Sequence, residues 1–225
     1  MAVAPDPATG AARRSLAEVL ARIDAALEAP FEPLRGNAVA NRVFYTASAL
    51  GDFGLMWVVF ALMRALRGGR RNEKAAARAI VATGVESVLV NVALKSFFRR
   101  HRPPNEIDHP LPLRVPLTSS FPSGHATAAF CGATLLSEDD PLAPLYFATA
   151  AVIAASRVHV KMHHPSDALG GAVIGTVLGL IGRALAPLER GRSAPHPRAS
   201  SAGRPPRAAD HARRRAAGGR EGNSR

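Results

Sequence analysis

Apolar residues gather in the middle of the chain in five runs: Thr46 to Met63, Ala75 to Leu94, Ala126 to Leu136, Leu142 to Ala155 and Ala168 to Leu188. Each is interrupted by few charges, so the helices they predict are apolar on nearly every side, as in a large buried core or a bilayer. Five such runs within residues 46–188 leave little amphipathic surface for a soluble bundle. The reading favoured is an all-α, polytopic transmembrane bundle of about five spans, although several runs fall short of the roughly 20 residues that cross a bilayer unless flanking residues join the helix. Asp52 stands at the start of the first run, Arg78, Glu86 and Asn91 lie in the second, and Arg183 lies near the end of the fifth, where it can snorkel. Glu86 and Asn91 are costly in lipid and are expected to face the bundle interior, in structural hydrogen bonds or along a substrate channel.

Upstream, Ser15 with Glu18 forms a capping-box signature, and Leu16, Val19, Leu20, Ile23 and Leu27 follow at helical spacing. They predict an amphipathic helix, either packed on the core or lying in a membrane interface. The pattern divides the chain into an N-terminal segment 1–45, a membrane domain 46–188 and a tail 189–225. Met1 to Ala12 carry no basic-then-apolar run, so no cleavable leader is expected.

Composition sharpens this picture. The chain has 225 residues, 47% of them hydrophobic, and 29 Lys and Arg against 17 Asp and Glu. Its net charge of +12 calls for an anionic partner. The mean hydropathy of +0.02 averages an apolar middle with polar ends. The tail holds ten arginines against three acids among Ala, Gly, Pro and Ser, and is expected to be disordered. Without aromatic interleaving it suits anionic lipid headgroups, and no nucleic acid is expected. The single cysteine, Cys131, excludes an intrachain disulfide and a cysteine-based zinc cluster. Arg64, Arg67, Arg70, Arg71 and Lys74 follow the first run, and the basic tail follows the fifth. With alternating spans both lie on one face, which the positive-inside rule makes cytoplasmic. The acids Glu138, Asp139 and Asp140 fall there too.

The opposite, extracytoplasmic ends carry the chemistry. Lys95, six residues and Arg102-Pro103 follow the second run, and Pro122-Ser123-Gly124-His125 precedes the third. Ser156-Arg157 closes the fourth, and His163, three residues and Asp167 open the fifth. Six of the eight histidines lie in these stretches. The three motifs, in this order over roughly residues 44–185, resemble the type 2 phosphatidic acid phosphatase (PAP2) superfamily of membrane lipid phosphatases.

Phosphoryl transfer needs cations for the equatorial oxygens, an in-line nucleophile and an acid for the leaving oxygen. Lys95, Arg102 and Arg157 supply cations, while Ser123 and the Gly124 backbone stand at a helix N-terminus suited to an anion. By resemblance His163 is the nucleophile, forming a phosphohistidine, with Asp167 orienting its ring and His125 as general acid. No metal and no cofactor is implied. The resemblance implies a multi-pass cell-membrane phosphatase acting on a lipid-linked phosphate, with polyprenyl phosphates or diphosphates favoured. The leading spans favour the phosphoribose-linked polyprenol phosphatases of actinobacteria. Phosphatidic acid and phosphatidylglycerol phosphate stay open as substrates. Vanadium haloperoxidases, similar in the same pocket, and a non-catalytic scaffold recruited through the tail are the alternatives.

Beyond the motifs, His101, His109, His159 and His164 read as ordinary surface or interfacial residues, and Arg99 and Arg100 as headgroup contacts or solvated charges. Lys161 and His164 depart from the family's habit of a small residue two before the nucleophile and an aromatic directly after it. Lys161 is therefore expected to meet a second acidic group of the substrate.

Overall fold

The computed structural model describes residues 7–104 and 118–189; the tail from 190 and His109 lie outside the described residues. Every regular element among the described residues is a helix. The described residues cluster as one compact unit.

The N-terminal helix α1, Pro7–Glu28, begins earlier than the capping signature at Ser15. Val19, Leu20, Ile23 and Leu27 stay exposed while Asp24 is buried, so α1 is not held on the protein by its apolar side. Prolines then open two short turns, a 3-10 turn Ala29–Phe31 and α2, Glu32–Arg35. Asn37 caps α3, Ala38–Leu50, by accepting from the Val39 and Ala40 amides at 2.9 and 3.0 Å.

The first apolar run does not form one straight helix. Phe53 and Gly54 take left-handed φ of 56° and 68°, which breaks the α-helical ladder. Helix α4, Leu55–Leu66, restarts beyond them, and the pair bends by 64°. Gly51 lies against His125 and Ile153, where an added Cβ would meet side-chain atoms at 2.9 and 3.0 Å. The kink therefore sits against the helices that carry the motifs.

Helix α5, Arg70–Val88, passes into a π-helical stretch, Leu89–Leu94, and the single turn α6, Lys95–Phe97. A π turn advances the side-chain register relative to an α-helix. Lys95 emerges from it buried.

At the centre stands α7, Gly124–Leu136, short and buried from Ala126 to Leu136 on most of its positions. Helix α8, Ala143–His159, and helix α9, Pro165–Leu185, flank it. Three glycines four residues apart let α9 approach: a Cβ at Gly171, Gly175 or Gly179 would stand 2.7, 2.2 or 2.6 Å from Ser123 O, Thr127 O or Thr134 Cβ. Small residues at such a spacing bring helix backbones together where lipid supplies no hydrophobic drive.

Two helical stretches, Arg70–Phe97 and Pro165–Leu185, are long and apolar enough to cross a membrane, and the bent α3–α4 pair makes up to three. With 13 and 17 residues, α7 and α8 fall short of that length. Five full-length spans are therefore not what this geometry displays among the described residues.

The two ends of the bundle differ. At the end away from the motifs, Arg64 and Arg67 both engage Asp140, and Arg78 meets Glu138 at 2.7 Å. Arg71 pairs with Asp139, and Arg64 also donates to the Leu136 and Glu138 carbonyls. Burial alone would raise the Asp140 carboxyl, but Arg67, the Leu142 amide and Arg64 hold it below the usual carboxylate range.

Candidate active site

Local chain chemistry sets the motif residues before they meet. Ser123 is the N-cap of α7, its Oγ accepting from the Ala126 amide at 3.4 Å, with Gly124 in the first turn. Pro165 opens α9, where a missing N–H costs nothing. Two residues on, Asp167 reaches back so that its Oδ2 accepts the His164 amide at 2.9 Å. The close approach of α7 and α9 then brings the Ser123 amide to the Asp167 carbonyl at 3.1 Å.

His163 lies between α8 and α9, 2% exposed. Its Nε2 stands 3.3 Å from Arg102 Nη1, while its Nδ1 faces Asp167 Oδ2 at 3.8 Å, too long for a hydrogen bond. Burial, helped by the Arg157 and Arg102 charges and opposed by Asp167, lowers the imidazole from its ordinary 6.5 to about 3. The ring is thereby driven toward its neutral form.

The cations converge on the same point. Arg102 donates through Nη1 to the Met162 carbonyl at 2.7 Å and through Nη2 to the Thr118 carbonyl at 3.3 Å. Lys95 Nζ reaches Thr118 Oγ1 at 3.4 Å and lies beside Gly124, where a Cβ would stand 3.5 Å from it. Arg157 is 2% exposed and donates to Ser48 Oγ. Its Nε and Nη2, together with Arg102 Nε, are buried without a protein partner. Buried cationic donors in that state favour an anion that accepts from several of them.

All eight residues expected from the sequence, Lys95, Arg102, Ser123, Gly124, His125, Arg157, His163 and Asp167, thus lie at one end of the bundle. A cavity of about 500 Å³ opens from Lys95, Gly124, His125 and His163 toward the α3–α4 kink, the Ala79 to Ser87 face of α5 and Asn91 of the π-helical stretch. Glu86 is buried, in line with its expected inward placement. Asn91 lines the cavity and donates to the Ser87 carbonyl at 2.8 Å.

Three polar residues outside the motifs take part. His125 Nε2 stands 2.9 Å from Asp52 Oδ1, delivered by the kink. Arg100 is not a solvated charge: its Nη1 meets Asp167 Oδ1 at 2.5 Å and its Nη2 meets Asp24 of α1 at 2.6 Å. Ser120 Oγ donates to Asp167 Oδ2 at 2.5 Å. Lys161 does not stand free for a substrate, because its ammonium meets Glu28 at 2.6 Å and Glu32 at 3.3 Å. His159 is buried, stacked on Phe44 at 4.5 Å and 2.8 Å from Asn41 Oδ1, which makes it a packing residue. His101 is exposed, and His164 is the N-cap residue of α9. Among the described residues no group of three or more His, Cys, Asp or Glu is placed to hold a metal ion.

A buried imidazole sharing one end of the bundle with three cations, in a fold with membrane-length apolar helices, suits a membrane protein that takes an anionic group. The chain belongs to the PAP2 superfamily, whose profile matches residues 75–189. Decaprenylphosphoryl-5-phosphoribose phosphatase of Mycobacterium tuberculosis, from two strains, is 34% identical over 145 residues, covering 60% of this chain and 76% of the relative. Aquifex aeolicus LpxE superposes with a TM-score of 0.52 at 31% identity, covering 68% of this chain and 91% of that one. The PAP2-type phosphatidylglycerolphosphate phosphatase of Bacillus subtilis does so with a TM-score of 0.52 at 22% identity, over 76% and 94%, and speaks to the fold. The protein is a phosphatase, a hydrolase of the PAP2 type.

Proposed function

We propose that this protein removes the terminal phosphate of a lipid-linked, polyprenyl phosphate or diphosphate through a phosphohistidine. The observation that carries the reading is the buried His163, its Nε2 3.3 Å from Arg102 Nη1, at the same end as the unpartnered guanidinium donors of Arg157 and Arg102. Its likeness to a phosphatase of a decaprenyl-linked phosphoribose supports a polyprenyl carrier, with a phosphosugar headgroup as the first choice.

The phosphate is held by Lys95, Arg102 and Arg157 and by the first turn of α7 at Ser123 and Gly124. His163 Nε2 attacks phosphorus, Asp167 faces Nδ1, and the bond from phosphorus to the ester oxygen breaks. His125 gives its proton to that oxygen. Water then attacks the phosphohistidine, its proton passes to His125, and inorganic phosphate leaves with His163 restored. The 500 Å³ cavity toward α4 and α5 gives the lipid chain a lateral exit. We read α7 and α8 as short spans within a multi-pass fold of the cell membrane, the site facing the extracytoplasmic side and the basic tail touching anionic headgroups.

The test is phosphate release by the detergent-purified protein in EDTA. The substrates are a polyprenyl monophosphate, a polyprenyl diphosphate, a polyprenyl-phosphoryl-ribose 5-phosphate and phosphatidic acid. Release from a polyprenyl substrate, abolished in His163→Ala and reduced roughly 10² to 10⁴-fold in His125→Ala, is expected. Release that survives His163→Ala would overturn the mechanism, and preference for phosphatidic acid would overturn the substrate class.

A further inference from the structure

Helix α1 lies outside the stretch that carries the phosphatase motifs, yet it is tied to them by a buried carboxylate. Asp24 is 4% exposed on a helix whose apolar side chains face outward. Its Oδ1 accepts from the Ser166 amide at 2.7 Å, and its Oδ2 accepts from Ser166 Oγ at 2.9 Å and Arg100 Nη2 at 2.6 Å. The other arm of Arg100 donates to Ser166 Oγ at 2.7 Å and to Asp167 Oδ1 at 2.5 Å. Arg100 is itself fixed through its backbone, its amide bonding to Ser119 Oγ at 3.2 Å and its carbonyl accepting the Ser120 amide at 2.9 Å.

One guanidinium therefore spans two carboxylates, and one carboxylate caps the first turn of the helix that carries the other. Without Asp24, Arg100 loses the partner that fixes its plane, and the amide and hydroxyl of Ser166 lose their acceptor. Asp167, which faces His163, keeps the Ser120 hydroxyl and the His164 amide on Oδ2 but loses the fixed guanidinium on Oδ1 and the anchored first turn that carry its direction. A planar guanidinium held at both ends orients its partners far better than a single contact does.

We propose that Asp24 is a positioning residue of the phosphatase site, acting through Arg100 and the first turn of α9 on Asp167, so that α1 belongs to the catalytic unit. This rests on the reading of His163 as nucleophile. It predicts that Asp24→Ala lowers kcat about tenfold, as small misplacement of reacting groups does, while KM for the lipid phosphate stays within twofold. In an Arg100→Gln background the same change has little further effect, because the path is already cut. Asp24→Asn, which still accepts from Ser166, recovers part of the rate.

A role in folding alone would lower the yield of folded protein and leave kcat per folded molecule unchanged, which overturns the proposal. Full additivity with Arg100→Gln, or a rise in KM alone, overturns it equally. Absence of turnover by the wild-type protein would mark failure of the functional reading instead. Orthovanadate, which adopts the geometry of a transferring phosphoryl group, then decides by titration. Tenfold weaker binding in Asp24→Ala supports the positioning role, and equal binding overturns it.

Discussion

His163 is nearly sealed from water, and that seal sets the charge of its ring. With its proton uptake pushed down to about pH 3, the imidazole is driven toward the neutral form, which carries a lone pair on one ring nitrogen. The same burial has a thermodynamic consequence. The unfolded chain binds a proton on this ring below its ordinary value of about 6.5, and the folded chain does not. Stability from this group is full above pH 6.5 and is lost as pH falls toward 3, by up to about 1.4 kcal/mol per pH unit. The melting temperature of the detergent-purified protein should fall from pH 6.5 to 4, and His163→Gln, which cannot take the proton, should flatten that fall. An equal slope in both proteins would mean that another group carries the acid sensitivity.

The motif residues were legible in the sequence because phosphate chemistry demands those residue types and because each motif is short. Asp52, Arg100 and Asp24 were not: each acts across 67 to 76 residues of chain, as in Arg100 to Asp167 and to Asp24, or from a kink whose direction the apolar pattern does not encode. A charge at the head of an apolar run was the available signal for Asp52. Lys161 misled for the opposite reason, since its place two residues before His163 in sequence says nothing about Glu28 and Glu32, which approach it from α1 and α2.

At the scale of elements, the helices came from apolar runs, but their breaks came from backbone chemistry. Two left-handed residues at 53 and 54 and a π turn at 89–94 re-aim Asp52 and Lys95, and neither shows in a hydropathy profile. The contact between α7 and α9 is more readable, since Gly171, Gly175 and Gly179 recur every four residues as in close helix packing. Because an added methyl at 175 would stand 2.2 Å from the Thr127 carbonyl, Gly175→Ala should push the helices apart and stretch the Ser123 to Asp167 bond. A loss of more than tenfold in kcat/KM is expected, whereas Gly36→Ala, where nothing lies within 4 Å, should change it less than twofold. Equal behaviour of the two variants would show that the close approach does not hold the site.

For the whole molecule the two ends carry opposite assignments, one chemical and one topological. A cysteine at Pro104, beside the site, is expected to react with a membrane-impermeant maleimide on intact cells, while one at Glu73 reacts only after permeabilisation. Native Cys131 is buried and gives a low background. The reverse pattern would invert the orientation. Under the proposed orientation the arginines of that end change role with time. During insertion the acids beside them contribute little, and Arg64, Arg67 and Arg71 act as an address that retains their loop on one side. Once the helices have assembled, the same guanidinium groups are bound to Asp139 and Asp140, and Arg78 to Glu138. In the folded protein these charges are thus paired rather than free, because the signal that directed the loop has become mortar.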